Sequence, residues 1–265
     1  MKTQNTNNRF LKILNKKYDE NFFADREGRL QRELDASGVL ILQEFISGET
    51  LKKLQDEAVK LKGGAFRSGS RYNLYVLPDD PSMPENSLRN RKFITTKGCV
   101  PDDQIPADSL LRTIYDAKLF REFTCKLQNI TEVFPYDDTL SSVNINYYDP
   151  GDNLEWHFDN ADFVITLLVK QCTVGGVYEY APGIRYTKTG EENEAGIRKI
   201  IDGESTPERA RMNDGCLMIF RGKESLHRVT KVEKGNRVLV TLNYNTKPGV
   251  PLSEQSRMTF FGRTK

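Results

Sequence analysis

The second half of this chain alternates short apolar runs with turn residues, and this pattern restricts the fold more than any other feature. Turn sequences such as Asp-Pro-Gly-Asp at 149–152 and Gly-Gly at 175–176 separate the runs. Regularly spaced short strands with glycine and proline between them are typical of an antiparallel sandwich or barrel. We therefore expect an α+β, mainly β fold with a jelly-roll (double-stranded β-helix) core. The predicted strands lie at residues 141–148, 154–158, 163–169, 176–180, 216–220 and 236–244.

Helical spacing predominates in the first half. Apolar residues recur at helical intervals over 9–35 and 107–130, which predicts helices there. Residues 47–50 (Ser-Gly-Glu-Thr) offer capping groups for a further amphipathic helix that should end at the glycines 63–64. Between these segments, the apolar run at 38–42 is predicted to form a short strand.

Two further segments have a composition of their own. Residues 78–106 are rich in proline, aspartate and asparagine, which predicts a long loop and a candidate lid over a binding site. The charged residues 187–211 predict a helical excursion between strands. Since no linker interrupts the chain, we expect a single domain over 1–265, with a helical part at about 1–135 and a barrel core at about 136–250.

The overall composition argues against several classes of protein. With 39 basic and 37 acidic residues the formal net charge is +2, so the chain lacks the strong positive field of a nucleic-acid-binding protein. No run approaches the roughly 18 apolar residues of a membrane span. The polar N-terminus has no signal-peptide core behind it. We expect a cytoplasmic protein with a small-molecule partner, and neither a membrane nor a nucleic-acid partner.

Only two histidines occur in the chain, and their positions suit a metal site. His157 and Asp159 form an H-x-D motif, and His227 follows seventy residues later. On a strand, residues i and i+2 point to the same face, so the first two side chains could bind one ion together. A closed or folded-over sheet is needed to bring His227 to them. Two imidazoles and one carboxylate on one face of a metal are the ligand set of non-haem Fe(II) oxygenases.

Arg237 adds a second indication to that of the predicted metal site. H-x-D alone is a weak signal, and a lone histidine in a β-protein is more often structural than a ligand. Zinc also binds such a set. Arg237, ten residues after His227, favours iron, because 2-oxoglutarate leaves a distal carboxylate that suits the planar fork of a guanidinium. Its apolar neighbours at 238–240 argue against a purely exposed strand charge.

These residues lie in stretches that resemble the Fe(II)/2-oxoglutarate-dependent oxygenases. The similarity is to the branch that contains halogenases and hydroxylases of free amino acids such as lysine, and it covers about residues 70–263. The stretches that carry it are Trp156-His157-Phe158-Asp159, residues 163–168, 175–185 and 220–230, Arg237, residues 244–249 (Tyr-Asn-Thr-Lys-Pro-Gly) and the closing Phe261-Gly262-Arg263.

The resemblance implies roles for four residues. His157, Asp159 and His227 would bind Fe(II), Arg237 would bind 2-oxoglutarate, and O₂ would be the third reactant. In the halogenases of this branch a glycine replaces the carboxylate ligand and chloride takes the vacant position. This chain has Asp159 there, so the resemblance implies an enzyme that hydroxylates rather than chlorinates.

Candidate substrate residues follow from the same resemblance, which places polar groups around the metal motif, on neighbouring strands and in the N-terminal loop. Each of them could instead cap a helix or shape a turn. Arg71 or Arg91 would suit the carboxylate of an amino acid, and the resemblance makes a basic side chain one option for the substrate. The candidates are Arg71, Asn73, Arg91, Asn146, Asn160, Asn243 and Asn245.

The expected activity is therefore hydroxylation of an unactivated C–H bond of a free amino acid, or a close derivative, with formation of succinate and CO₂. Two alternatives remain at this stage. One is an oxidative cyclase or desaturase of an amino-acid-derived natural-product intermediate. The other, from a different class, is a non-catalytic metal- or ligand-binding barrel.

Overall fold

Two antiparallel sheets pack against each other in this computed structural model, which describes residues 2–265. The strands are β1 Val39–Leu42, β2 Phe66–Tyr72, β3 Phe93–Val100, β4 Val143–Tyr148, β5 Leu154–His157, β6 Val164–Lys170, β7 Val174–Gly175, β8 Tyr178–Ala181, β9 Glu208–Ala210, β10 Cys216–Phe220, β11 Leu226–Val229, β12 Val232–Lys234 and β13 Arg237–Leu242. The larger sheet has the order β1-β10-β6-β13-β4-β3-β2, the smaller sheet β5-β11-β8-β9, and a two-stranded ribbon joins β12 to β7. The expected mainly β fold is thus confirmed.

Strand periodicity gives the larger sheet two different faces. On β13, Val238, Val240 and Leu242 belong to a core shared with the N-terminal helices. The alternate residues of β13 point into the space between the sheets, where Arg237 and Thr241 line a cavity. The same alternation on β4, β6 and β10 gives the sheet an apolar face that packs against the helices. The opposite face carries both apolar and polar side chains and lines the cavity.

The helices that precede β4 pack against the apolar face of the larger sheet. The predicted helix over 9–35 is divided into three. The first break lies at residues 14–19, where the N–H of Asn15 donates to the carbonyl of Phe45. The second lies at Asp25, which adopts a left-handed conformation and whose carboxylate caps the next helix through the N–H groups of Arg29 and Leu30. The predicted helix over 107–130 is divided into two. The helices are α1 Lys2–Ile13, α2 Glu20–Ala24, α3 Arg29–Ser37, α4 Gly48–Leu61, α5 Leu110–Tyr115, α6 Lys118–Gln128, α7 Glu194–Ile201 and α8 Glu254–Phe261, with short 3₁₀ turns at Lys62–Gly64 and Asp102–Gln104.

The strands that lie outside the predicted ones include the short β7, β9 and β12, and the longer β2 and β3. β2 was not anticipated, and β3 occupies most of the second half of the predicted loop 78–106. β2 forms the edge of the larger sheet, and its sequence, Phe-Arg-Ser-Gly-Ser-Arg-Tyr, is largely polar and exposed. An edge strand with one solvated face needs few apolar residues, so its sequence resembles a loop. The actual loop spans 73–92, and the predicted helical part, about 1–135, also contributes β1, β2 and β3 to the larger sheet.

The helical excursion predicted at 187–211 is confirmed in part: α7 covers residues 194–201, but β9 at 208–210 also lies within the predicted segment. Ile197 and Ile200 on this helix pack in one cluster with Trp156, Phe158 and Leu74. The excursion therefore packs close to the H-x-D motif. Within the described residues, no helix combines the length and apolar character needed to cross a bilayer.

Candidate metal centre and cavity

Three side chains predicted to bind a metal converge at one end of the space between the sheets. His157, Asp159 and His227 each offer one ligand atom, and these atoms all lie within 4.8 Å of one another. The Nε2 atom of His157 lies 3.5 Å from Asp159 Oδ1, and that of His227 lies 3.3 Å from Asp159 Oδ2. This spacing is small enough for all three groups to contact a single ion.

Strand pairing accounts for the position of both histidines. His157 is the last residue of β5 and lies directly opposite His227 on β11, so their ring centroids are 4.2 Å apart. The sheet register therefore brings together two residues that are seventy positions apart in the chain. The two histidines lie on neighbouring strands of one sheet, so the closed or folded-over sheet expected from the sequence is not needed to bring them together.

Asp159 does not lie on the strand, in contrast to the expectation for an H-x-D motif. β5 ends at His157, and the backbone N–H groups that follow donate to loops. Phe158 donates to the carbonyl of Leu74 at 2.7 Å, and Asp159 donates to the carbonyl of Gly222 at 3.0 Å. The carboxylate is therefore positioned by two loop contacts and not by the pleat of a strand.

Gly222 leaves room for this carboxylate. A Cβ atom at residue 222 would lie 1.8 Å from Asp159 Oδ2 and 2.7 Å from its Cγ. Atoms cannot approach so closely, so any side chain at this position would displace the carboxylate. Gly222 was not identifiable from the sequence, because its role arises from a contact with Asp159, which is 63 positions away in the chain.

Hydrogen bonds fix the tautomers of both histidines. His157 Nδ1 lies 2.7 Å from the carbonyl of Glu155, and His227 Nδ1 lies 2.9 Å from that of Ser225. Because a carbonyl oxygen only accepts, each Nδ1 must carry a proton. In the neutral rings, Nε2 then presents a lone pair towards Asp159, which is the arrangement of a metal-ligating histidine with an outer carbonyl partner.

The electrostatics of the cluster favour the protonation states that metal ligands require. Burial, followed by the charge of His157, lowers the pKa of His227 to about 4, so this ring is neutral near pH 7. Burial raises the pKa of Asp159, but His227, His157 and Lys97 more than offset this effect, and the net shift is downward. Asp159 is accordingly a carboxylate whose buried Oδ2 has no hydrogen-bond partner within the described chain. Such an unpaired buried oxygen beside two imidazole lone pairs fits a bound cation.

Arg237 lies deeper in the same cavity and is 1% exposed. Its Nε and Nη1 atoms have no hydrogen-bond partner, and it forms no ion pair with any carboxylate of residues 2–265. Burial lowers the pKa of Arg237, which the Tyr148 and Cys172 side chains partly offset, and its guanidinium lies 5.6 Å from the Tyr148 ring centroid. A buried guanidinium with free donors fits the carboxylate of a bound co-substrate.

Further groups around Arg237 support an anion-binding role. Thr166 Oγ1 and Tyr178 OH line the same cavity, are buried and also lack hydrogen-bond partners within the described chain. Gly176, with φ of 58°, makes room for the arginine, since a Cβ there would lie 3.1 Å from Arg237 Cδ and 2.5 Å from Cys172 Sγ. Unsatisfied buried donors are rare in folded proteins, and several in one cavity indicate a ligand.

The structure brings three of the seven predicted substrate residues to the cavity, which has a volume of about 250 Å³. These are Asn146 on β4, Asn160 directly after the metal motif and Asn243 after β13. Asn243 Nδ2 donates to the carbonyl of Ser141 at 2.7 Å, so one of its hydrogens is already bound within the protein.

The other four predicted substrate residues do not line the cavity. Arg71 is exposed on β2, and Arg91 forms an ion pair with Asp202 at 2.7 Å. Asn73 is buried and uses its side chain to fix the start of the loop at 73–92. Asn245 donates to the carbonyl of Val250 at 2.9 Å. The structure thus gives each of these side chains, apart from Arg71, a partner outside the cavity.

Sequence reasoning missed several residues of the cavity wall. Lys97 and Cys99 line it from β3, and Asn144 lines it from β4. Because the sequence analysis assigned 78–106 to a loop, the strand period that places Lys97 and Cys99 on one face was not applied. Asn144 and Asn146 do share a strand period with Tyr148, and this signal would have identified Asn144.

Comparisons with known proteins place the chain in a family. A family model described as HalD, halogenase D, matches residues 23–258, so the chain belongs to the halogenase D family. No curated protein matches the chain. Many solved structures match, and six of them have TM-scores from 0.50 to 0.56.

Three of these structures illustrate the likeness in fold. An oxidoreductase of the 2OG-Fe(II) oxygenase family from Burkholderia pseudomallei is 12% identical, with a TM-score of 0.53 over 83% of this chain and 91% of that one. A prolyl hydroxylase from Trichoplax adhaerens, in complex with a peptide fragment, is 12% identical with a TM-score of 0.53 over 85% and 89%. The epimerase SnoN, in complex with Fe³⁺, alpha ketoglutarate and nogalamycin RO, is 13% identical with a TM-score of 0.56 over 85% and 94%.

At these identities the likeness is one of fold, and it confirms the expected jelly-roll architecture of Fe(II)/2-oxoglutarate oxygenases. The residues of the cavity indicate which metal and co-substrate it can bind. The cluster of His157, Asp159 and His227 fits iron, and the unpaired donors of Arg237 fit a carboxylate. Fe(II) and 2-oxoglutarate, the cofactor and co-substrate expected from the sequence, therefore agree with both the fold and the site.

Proposed function

We propose that this protein is an Fe(II)- and 2-oxoglutarate-dependent hydroxylase that acts on an unactivated C–H bond of a free amino acid or a close derivative. The observation that carries the proposal is the carboxylate of Asp159. It completes a ligand set with His157 and His227, and Gly222 leaves space for its Oδ2.

In this proposal each site residue has a defined task. His157, Asp159 and His227 hold Fe(II), and Arg237 holds the distal carboxylate of 2-oxoglutarate. When bound, iron and 2-oxoglutarate oxidise the C–H bond with O₂ and release succinate and CO₂. The carbonyls of Glu155 and Ser225 keep the imidazoles in the ligating tautomer, and the buried walls of the cavity exclude water from the reacting groups.

The dimensions of the cavity support a small substrate. Its volume of about 250 Å³ lies just below the usual range of ligand pockets, which is roughly 300–1,000 Å³. Such a space suits 2-oxoglutarate together with a compound of amino-acid size better than a peptide or a nucleotide. The pairing of β1 with β10 joins the two halves of the chain in one sheet, which supports a single oxygenase domain over 1–265.

Hydroxylation is favoured over halogenation by the ligand set, although the family is described by the name of a halogenase. Halogenation on such a site requires a coordination position for a halide ion. Here the Asp159 carboxylate occupies the corresponding side of the cluster, 3.3 Å and 3.5 Å from the two imidazole Nε2 atoms. The proposal therefore assigns oxygen transfer to this member of the family.

The test is reconstitution without oxygen, followed by exposure to O₂ with pooled L-amino acids in a buffer that contains chloride. Succinate and product masses are measured. We expect substrate-dependent succinate and a product heavier by one oxygen atom, both lost in His157→Ala. A chlorinated product would refute the hydroxylase assignment. A product lighter by two hydrogen atoms would indicate desaturation or cyclisation, and absence of succinate with every pool would favour a non-catalytic barrel.

A further inference from the structure

The cavity has a second polar region, distinct from the metal cluster and from Arg237. It lies where β3, β4 and the end of β13 meet α8, and it includes Lys97, Asn144, Asn146 and Asn243. Phe260 on α8 covers this region from one side. Neither the metal ligands nor the site proposed for 2-oxoglutarate uses these side chains.

Lys97 is the charged group of this region. Its Nζ atom donates to Asn146 Oδ1 at 2.8 Å and lies 5.3 Å from the Phe260 ring centroid. An ammonium group has three N–H donors, so the contact with Asn146 leaves two of them for other acceptors. Lys97 forms no ion pair with any carboxylate of the described chain. The lysines that do form ion pairs lie mostly on the surface.

The charges on the cavity wall are unequal. Among the lining residues of the described chain, Asp159 is the only carboxylate, and it belongs to the metal cluster. Lys97 and Arg237 are both cations. With Arg237 paired to the carboxylate of 2-oxoglutarate, as proposed above, a substrate with a cationic side chain would meet the ammonium of Lys97 and no free carboxylate, which disfavours its burial.

Two neutral acceptors of this region are engaged. Asn146 Oδ1 accepts from Lys97, and Asn144 Oδ1 accepts from Asn243 Nδ2 at 3.2 Å. These two amide oxygens already have donors, which makes them poorer acceptors for an ammonium on the substrate side chain. The free donors of Lys97, by contrast, have no acceptor among the described residues apart from Asn146.

We propose that Lys97 binds a carboxylate of the substrate and that the cavity selects compounds whose side chain carries no positive charge. This inference rests on the proposed function and specifies its substrate class as an acidic or uncharged carboxylic acid, such as an amino acid with an uncharged or acidic side chain. It replaces the option of a basic amino acid and gives the carboxylate-binding role to Lys97 rather than to Arg71 or Arg91.

Two matched pairs of ligands test the proposal. L-norleucine and its amide differ in the carboxylate, and L-norleucine and L-lysine differ in a terminal ammonium. Dissociation constants are measured by calorimetry without O₂, with Mn(II) in place of iron and with saturating 2-oxoglutarate, which keeps the Arg237 site filled. Substrate-stimulated succinate formation with Fe(II) and O₂ provides a second measurement.

We expect the wild-type protein to prefer the norleucine acid over the amide by about tenfold or more, as for a charged hydrogen bond. Norleucine should also bind more tightly than lysine. In Lys97→Met the preference for the acid over the amide should fall to about one, while Lys97→Arg should retain it. Lys170→Met is the matched control, because Lys170 lies on β6 of the same sheet but is exposed and does not line the cavity.

Several results would overturn the inference. If no carboxylate compound binds better than its amide, or if Lys97→Met keeps the wild-type ratio, Lys97 does not bind the substrate carboxylate. Tighter binding of lysine than of norleucine would contradict the proposed charge selection. Mn(II)-dependent binding of 2-oxoglutarate separates these failures from a failure of the proposed function. If the wild-type protein lacks that binding, both proposals are wrong.

Discussion

At the scale of single residues, two glycines determine where charged groups can lie. Gly222 faces the Asp159 carboxylate, and Gly176 faces the aliphatic part of Arg237. In both places a missing side chain creates the space that a buried charge occupies. The motif residues alone therefore do not define this site, because each depends on a small residue from another part of the chain.

Gly222→Ala is expected to weaken metal binding selectively. The added Cβ would lie 1.8 Å from Asp159 Oδ2, so the carboxylate must leave its position beside the imidazoles. We expect the affinity for Fe(II) or Mn(II) to fall by about tenfold to a hundredfold, as for loss of a supporting contact at a metal site. Calorimetry without O₂ measures this affinity. Gly63→Ala is the control, because a Cβ there meets nothing within 4 Å, and equal metal affinity in the two variants would contradict the prediction.

Arg237→Met separates ligand binding from stability. The guanidinium is buried without an ion pair, so its replacement by an apolar side chain should leave the ligand-free protein equally stable or more stable, by about 1–4 kcal/mol. Binding of 2-oxoglutarate should weaken by about a hundredfold, because a charged hydrogen bond contributes about 1.5–3 kcal/mol. Urea unfolding with and without Mn(II) and 2-oxoglutarate measures both effects. A large loss of stability in the ligand-free variant would show that the arginine has a structural role instead.

At the scale of elements, the loop between β2 and β3 is tied to the metal motif. The N–H of Phe158, which lies between two metal ligands, donates to the carbonyl of Leu74 at 2.7 Å. Leu74, Tyr75 and Leu88 of this loop pack in one cluster with Trp156 and Phe158. The cavity-lining residue Val76 has φ of 51°, an unfavourable conformation for a β-branched side chain. The loop therefore forms part of the wall around the site.

Asn90 holds this loop together. Its Nδ2 donates to the carbonyls of Asp80 and Met83, each at 2.8 Å, and its Oδ1 accepts from the N–H of Asp80 at 2.8 Å. We expect Asn90→Ala to cost about 1–3 kcal/mol locally, since buried backbone groups lose their partners. Hydrogen exchange should then accelerate within residues 73–92 and kcat/KM should fall, while metal affinity changes little. Glu85→Ala, on the exposed part of the same loop, should leave exchange unchanged.

The same loop is the candidate lid. If it closes over the substrate, limited proteolysis within 73–92 should slow when Mn(II), 2-oxoglutarate and the preferred ligand are present together. Equal rates of cleavage with and without these ligands would show that the loop is a fixed wall. Asn90→Ala should be cleaved faster than the wild type in both conditions.

At the scale of the whole molecule, the sequence predicted those features that depend on periodicity within a segment. The central strands β6, β10 and β13 are apolar on at least one face and were identified within a few residues. β2 was missed because an edge strand can have a largely polar sequence. β3, which pairs with both β2 and β4, was missed because its residues fell in the segment 78–106 that was predicted to be a loop. Lys97 on β3 was missed with it. The two histidines and Arg237 were identifiable because rare residue types at defined spacing restrict the chemistry directly.

The N-terminal helix extends the apolar core beyond the region that the family model matches. α1 precedes residue 23, where that match begins, yet Phe10 on α1 is fully buried. Its ring centroid lies 5.3 Å from that of Phe23, 5.7 Å from that of Phe120 and 6.4 Å from that of Phe45. α1 thus connects α2, α6 and the segment after β1, all of which pack on the outer face of the larger sheet.

Phe10→Ala should therefore destabilise the whole molecule although α1 is far from the cavity lining. Removal of a buried aromatic ring costs about 3–5 kcal/mol, which we expect as a decrease in the free energy of unfolding by urea. Val59→Ala on α4 is the control, with a 76% exposed side chain and an expected change within about 0.5 kcal/mol. Because the metal ligands lie on the smaller sheet and its loops, the folded fraction of Phe10→Ala should bind Mn(II) as the wild type does. Two separate unfolding transitions would show that the helices form a unit independent of the sheets, whereas one shifted transition would show that the N-terminal helices and both sheets unfold together.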